Sequence, residues 1–170
     1  MFPPSESIIR VKQGDKFGFI HPDGTVLVPP IYDQAADFKE DRAAVSLDNK
    51  QGFIDTDGEM IIPLMYDRVW SFSFGAALVQ LNDKLGVINL MGETVIPLEF
   101  DNGTSAYDGV ILLSNAGKHQ YYHVTGELVS DRVFLEGWPF YNGIAMVRTH
   151  EGYWYMDKHG HCVDLCEVLE

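Results

Sequence analysis

The stretch Lys50-Gln51-Gly52-Phe53-Ile54-Asp55-Thr56-Asp57-Gly58-Glu59-Met60-Ile61-Ile62-Pro63-Leu64-Met65-Tyr66-Asp67 decides the fold, because it comes back. Moved on by 34 residues it reads Lys84-Leu85-Gly86-Val87-Ile88-Asn89, then Ile96-Pro97 and Phe100-Asp101. Moved back by 34 it reads Lys16-Phe17-Gly18-Phe19-Ile20, then Val28-Pro29 and Tyr32-Asp33. Gly24, Gly58, Gly92, Gly126 and Gly160 keep this interval along the whole chain, and so do Val11, Val45, Val79, Leu113 and Val147. A fixed period of a few tens of residues is the signature of a repeat architecture.

Within each unit the pattern predicts three short strands. Residues 43–47 and 77–81 are apolar and alternating, as a half-buried strand requires. A polar pair follows, Asp48-Asn49 or Asn82-Asp83, and then a second strand at 51–55 or 85–89. Asp57-Gly58 and its counterparts mark a hairpin turn in which glycine takes the left-handed conformation. The third strand is expected at 60–63 or 94–97, with the proline at its end stopping the pairing. Ile8 to Lys12 aligns with the first strand, so the units run approximately 8–33, 42–67, 76–101, 110–135 and 144–169, joined by eight-residue connectors such as 34–41 and 68–75.

The fold expected is therefore all-β: one repeat domain over 1–170, a tandem array of five three-stranded antiparallel meanders. A lone meander cannot bury its apolar face, so the units must stack. Both ends carry a complete unit and no strand is evidently shared across a closure, so an open twisted β-solenoid is expected rather than a closed propeller.

Composition sets limits on function. The chain is 46% hydrophobic and 12% aromatic, enough for a core. It has no apolar run near the length of a membrane helix and no basic-then-apolar leader, so a cytoplasmic protein off the membrane is expected. The formal charge of −13 argues against nucleic acid and is compatible with a basic protein partner. Cys162 and Cys166 are too few for a disulfide scaffold and are expected as buried reduced thiols.

The combination Lys50-Gln51-Gly52-Phe53-Ile54-Asp55, Gly58, Ile62-Pro63, Tyr66-Asp67, then Phe72, Gly75, Ala77 and Val79, resembles the bacterial WG repeat, also called the KWG repeat. The namesake tryptophan is replaced, by Phe17, Gln51, Leu85, Tyr121 and Tyr153 in the reading from sequence. The glycine after it gives way to Gln120 and Trp154 in the last two units, and the proline to Asp131. The resemblance implies a non-enzymatic β-repeat module with no cofactor and no catalytic residue to carry over. It also implies an immunity-type protein, encoded beside a secreted toxin, as one concrete role.

Apparent chemistry mostly dissolves into the repeat. His159 and His161 share a strand face, but Cys162 points the other way and Cys166 lies ~13 Å further along, so no local metal site is expected. His123 stands in the column of Asp55 and Asp157. The carboxylate column Asp33, Asp67 and Asp101 recurs in equivalent units, which fits aspartates holding connector backbone rather than a catalytic pair. Asp55-Thr56-Asp57-Gly58 lacks the later ligands of a calcium loop. Neither a phosphate loop nor a nucleophile elbow is present.

What breaks the register is more informative. Phe38, Phe72 and Phe140 share a column and are expected in the core. Trp70, Phe74, Tyr107, Trp138 and Tyr141 have polar or small counterparts such as Ala36, Thr104, Glu40, Asp108 and Asn142. They are therefore expected near the surface on connectors, where repeat scaffolds carry function. With Trp154 and the acidic Asp37, Glu40 and Asp41, they are the candidate partner-binding residues. The expected function is a monomeric, non-catalytic module that binds a protein, most concretely an inhibitor of a basic toxin domain. The alternative is a glycan or cell-wall-fragment binder using the connector aromatics.

Overall fold

The computed structural model describes residues 8–164. Cys166 and the end of the fifth expected unit lie outside them. Among the described residues there is no helix; eighteen strands build five antiparallel sheets. The first sheet holds β1 (Ile9–Gln13), β2 (Lys16–Ile20) and β3 (Val26–Tyr32). The second holds β4 (Gln34–Ala35), β5 (Arg42–Leu47), β6 (Lys50–Asp55) and β7 (Met60–Tyr66). The third repeats that order with β8 (Arg68–Val69), β9 (Ala76–Leu81), β10 (Lys84–Asn89) and β11 (Thr94–Phe100). The fourth holds β12 (Asn102–Gly103), β13 (Val110–Asn115) and β14 (Lys118–His123). The fifth holds β15 (Glu136–Gly137), β16 (Ile144–Arg148), β17 (Tyr153–Asp157) and β18 (Cys162–Asp164).

Each predicted meander is present, with three refinements. The start of the connector adds a two-residue strand, because residues 34, 68, 102 and 136 pair onto the next meander. The third strand runs on past the proline, to Tyr66 in the second sheet, through a register shift between Gln51↔Tyr66 and Phe53↔Ile62. Proline interrupts a ladder because it has no N–H, and a shift lets the strand resume beyond it. In the fourth unit, where Asp131 replaces that proline, the third strand shrinks to the single bridges Tyr122↔Leu128 and His119↔Phe134.

The register also corrects one column. His119 bridges Phe134 as Phe17 pairs with Tyr32, so His119, not Tyr121, stands where the family has tryptophan. Tyr121 belongs with Phe19 and Phe53, fully buried. Cys162, expected as a reduced thiol, is disulfide-bonded.

The core consists of four apolar clusters, one between each pair of successive sheets. Phe19, Val28 and Tyr32 meet Ala43, Val45 and Ile54. Phe53, Ile62 and Tyr66 meet Ala77, Val79 and Ile88. Val87, Ile96 and Phe100 meet Ile111 and Leu113. Tyr121 and Phe134 meet Val147, Trp154 and Met156. Neighbouring residues of a strand point to opposite faces, so Phe53 packs forward and Ile54 backward. Burying a side chain such as Phe53 contributes about 1.5–3 kcal/mol. The phenylalanine column is core as expected: Phe38 lies 5.2 Å from Phe19 and Phe72 4.7 Å from Phe53, ring to ring. None of the five sheets closes into a barrel, and among the described residues no cluster joins the first sheet to the fifth.

Candidate functional site

The connector ends in a two-residue hairpin turn that hands the chain to the first long strand of each meander. Lys39↔Arg42, Ser73↔Ala76, Tyr107↔Val110 and Tyr141↔Ile144 close these turns. Their central pairs are 40–41, 74–75, 108–109 and 142–143, and both residues of each pair have positive φ. That is the type I′ geometry, which matches the twist of the flanking strands and favours Asn-Gly or Asp-Gly. Asp108-Gly109 and Asn142-Gly143 obey the preference. Phe74 does not: it holds φ 55° while 54% exposed. A bulky side chain in the left-handed region costs about 1–2 kcal/mol.

The turns form a row along one edge of the array. Glu40 Oε2 accepts the Gly75 N–H at 2.8 Å, and Asp108 Oδ2 accepts the Gly143 N–H at 2.7 Å, each reaching from one turn to the next. The Lys158 ammonium reinforces the row by donating to the Asp108 carbonyl at 3.3 Å. Phe74, Tyr107 and Tyr141 project from this row, with Tyr107 52% and Tyr141 76% exposed. Sheets pack about 10 Å apart, so four turns span about 30 Å.

The remaining candidates scatter. Trp70 is only partly exposed, packed against the core between the third and fourth sheets with the Arg68 guanidinium 4.9 Å above its ring. Trp138 is 38% exposed and pairs with Tyr153, ring centroids 6.2 Å apart. Its carbonyl accepts the buried Tyr121 hydroxyl at 2.9 Å, and burial pushes that phenol well above its ordinary pKa. Trp154 is a correction: it is fully buried, so it is core and not a binding residue. Its counterparts Gly18, Gly52 and Gly86 leave no room for a side chain, because the third strand crosses directly over them. In the fifth sheet the indole of Trp154 instead packs with Phe134, Val147 and Met156 in the core between the fourth and fifth sheets. Among the acids, Asp37 pairs with Arg10 at 3.3 Å on the surface, Asp41 is an exposed turn residue, and Glu40 is engaged as a clamp between turns.

At the opposite end of the strands is a second repeated device, which the sequence reading half saw. Lys16, Lys50 and Lys84 place their ammonium groups 2.5, 2.6 and 2.6 Å from Asp33, Asp67 and Asp101. The other oxygen of each aspartate accepts the N–H of residue 48, 82 or 116 at 3.0, 2.7 and 2.9 Å. Each carboxylate thus ties a lysine of one sheet to the first hairpin turn of the next, not to the connector as expected. Lys50 above all, and the Asn82 N–H after it, hold the Asp67 carboxyl below its ordinary range; Asp33 behaves alike. At Asp101 the Ala116 N–H leads and Lys84 follows. The equal spacing of the lysine and aspartate columns was the available signal for this pairing.

Among the described residues, three clefts stand out between sheets. Two are equivalent slots two units apart, of about 250 and 220 Å³: one lined by Gln34, Ser46, Gln51 and Arg68, the other by Asn102, Thr104, Ser114 and His119. In the first, Gln51 Oε1 accepts the Val69 N–H at 2.8 Å; in the second, Thr104 Oγ1 and His119 Nδ1 are buried without a partner. The third, about 510 Å³, opens at the fourth junction beside Lys118, Arg132 and His150, and sequence reasoning missed it. Among the described residues no group of three or more His, Cys, Asp or Glu side chains is placed to hold a metal.

A family model described as "WG containing repeat" matches residues 17–50, 52–84 and 86–118. No curated protein sequence matches the chain. Similar solved structures are β-propeller-like repeat proteins. Kluyveromyces lactis Hsv2 with its complete loop 6CD aligns at TM-score 0.52 and 11% identity, over 96% of this chain and 60% of its own. KlHsv2 with that loop replaced by a Gly-Ser linker aligns at TM-score 0.52 and 10% identity, over 95% and 63%. A eukaryotic initiation factor aligns at TM-score 0.50 and 12% identity, over 96% and 54%. The chain spans less than two thirds of the length of each, and at such identities the likeness is one of fold.

Proposed function

The chain belongs to the WG-containing-repeat family, and from that premise we propose that it is a non-catalytic β-repeat module that binds another protein along its row of connector turns. The observation that carries this reading is the placement of Phe74, Tyr107 and Tyr141. Three exposed aromatic rings sit on successive type I′ turns: Phe74 where the other units carry Glu40, Asp108 and Asn142, and Tyr107 and Tyr141 where they carry Lys39 and Ser73. Aromatic anchors held on a rigid backbone at low entropic cost are the usual energetic centre of a protein interface. Phe74 is further supported by its strain, since an asparagine there would suit the turn better.

The finer reading is an immunity-type inhibitor that caps a basic toxin domain. The formal charge of −13 supports it. So do Asp37, Glu40 and Asp41, which place exposed carboxylates at the first turn of the same row. Complementary charge of this kind accelerates encounter more than it deepens affinity. Affinity purification from the source organism with mass spectrometry identifies the partner. Purified components are then tested for a 1:1 complex and for loss of the partner's toxicity. A neighbouring gene product that neither binds nor is neutralised removes the inhibitor reading. Binding unaffected by Tyr141→Ala and Phe74→Ala together removes the turn row as its surface.

A further inference from the structure

Three of the four junctions between sheets are closed at one end by a carboxylate gripped from both sides, by a lysine of the preceding sheet and a turn N–H of the following one. The fourth junction keeps the lysine and loses the carboxylate. Leu135 stands in the column of Asp33, Asp67 and Asp101, and Lys118 has no acid within ion-pair distance among the described residues. The facing turn is also rebuilt: the left-handed pairs 48–49, 82–83 and 116–117 become His150-Glu151, neither of which is left-handed. At this place the junction opens into the cavity of about 510 Å³, twice the size of either slot.

Its lining has a definite chemistry. Val133, Phe134 and Leu135 form an apolar wall, and Lys118, Arg132 and His150 face it. Arg132 is steadied by the Trp154 ring 5.4 Å beneath its guanidinium. The one acid of the lining, Glu151, is already engaged: the Thr149 side chain first, then its own backbone N–H, His150 and Arg132 hold its carboxyl below the ordinary range. A lysine stripped of its partner beside an apolar wall suits an anion with an apolar body, and a charge-assisted hydrogen bond to a carboxylate is about twice as strong as a neutral one. The volume falls within the usual size of small-molecule pockets.

We infer that the junction of the fourth and fifth sheets binds a carboxylate with an apolar body, its carboxylate taking between Lys118 and the turn at 150 the place that Asp33, Asp67 and Asp101 fill elsewhere. This site lies at the opposite end of the strands from the aromatic row and stands independently of it. The test is a titration of the full chain, followed by its backbone amide signals. The probes are hexanoate, hexan-1-ol, and a short aliphatic peptide ending in either a free carboxylate or an amide. The expected result is that hexanoate, the free-ended peptide or both shift the Lys118 and His150 amides to saturation, while the alcohol and the amidated peptide do not. Hexanoate alone binding identifies a small acid as the ligand type; the peptide alone identifies a chain terminus. Leu135→Asp rebuilds the internal clasp and lowers affinity at least tenfold. Lys118→Met does the same without adding a charge, and decides the matter should Leu135→Asp not fold. The inference is overturned if hexan-1-ol binds as well as hexanoate, if neither acid moves those amides, or if Lys118→Met leaves affinity unchanged.

Discussion

Trp154→Gly restores the residue that the repeat carries at Gly18, Gly52 and Gly86. By the usual expectation a return to consensus stabilises by about 0.5–2 kcal/mol. The structure gives the opposite sign. Trp154 is fully buried among Phe134, Val147 and Met156, with the Phe134 ring 5.8 Å away. A buried tryptophan covers roughly 150–250 Å², worth about 4–6 kcal/mol at ~25 cal/mol per Å². Measured losses for Trp to Ala are about 3–5 kcal/mol, and glycine in a strand adds about 0.5–1. A loss of about 4–6 kcal/mol is therefore expected, a large part of the roughly 5–15 kcal/mol that holds such a domain together. At about 2–4 °C per kcal/mol, the melting temperature falls by about 8–24 °C. Urea and thermal unfolding followed by circular dichroism measure it. Trp154→Phe is the companion: it keeps most of the volume and removes an indole N–H that is buried without a partner, so it costs less than ~2 kcal/mol. A Trp154→Gly protein as stable as the parent would refute the claim that the indole is an integral part of the core between the fourth and fifth sheets.

Gly52→Ala should destabilise by about 3 kcal/mol or more, because its Cβ would meet the Ile62 carbonyl and lie 2.6 Å from Pro63 O, whereas Gly14→Ala meets nothing and costs only the ~1–2 kcal/mol of its left-handed φ; chemical denaturation of the two variants separates these cases. Tyr141→Ala, removing a ring that is 76% exposed, should leave stability within about 0.5 kcal/mol yet weaken partner binding by about tenfold or more in calorimetric titration. Asp37→Lys with Asp41→Lys should slow association with a basic partner at low salt and leave dissociation nearly unchanged, read by stopped-flow; equal rates at all salts remove the steering. The lowered pKa values of Asp33, Asp67 and Asp101 give stability that is fully present above their ordinary value of 3.8 and lost as pH falls through the folded values. A triple Asp→Asn variant should therefore show a flatter stability profile below pH ~4 than the parent; an unchanged slope would assign the acid sensitivity elsewhere.

The division between sequence and structure follows from what each kind of information encodes. Period, strand number and core columns were legible because the repeat imposes them locally: alternation places Phe53 on one face and Ile54 on the other, and glycine marks each hairpin. The aromatic row was legible in part, since Phe74, Tyr107 and Tyr141 break register on connectors that a strand pattern excludes. Three things were decided only by the packing of one sheet on the next. Trp154 reads from sequence as a candidate binding residue and is core, because the stacking of the fifth sheet on the fourth encloses it with Phe134, Val147 and Met156. Lys50 and Asp67 read as two separate columns and form one clasp, because the chain folds back over a sequence separation of 17 to bring the groups within 2.6 Å. Lys118 reads as an ordinary member of its column and borders a cavity, because its missing partner at Leu135 acts across a junction between sheets. Local periodicity determines which faces of a strand are apolar; only the stacking of those faces determines which polar groups are left without a partner.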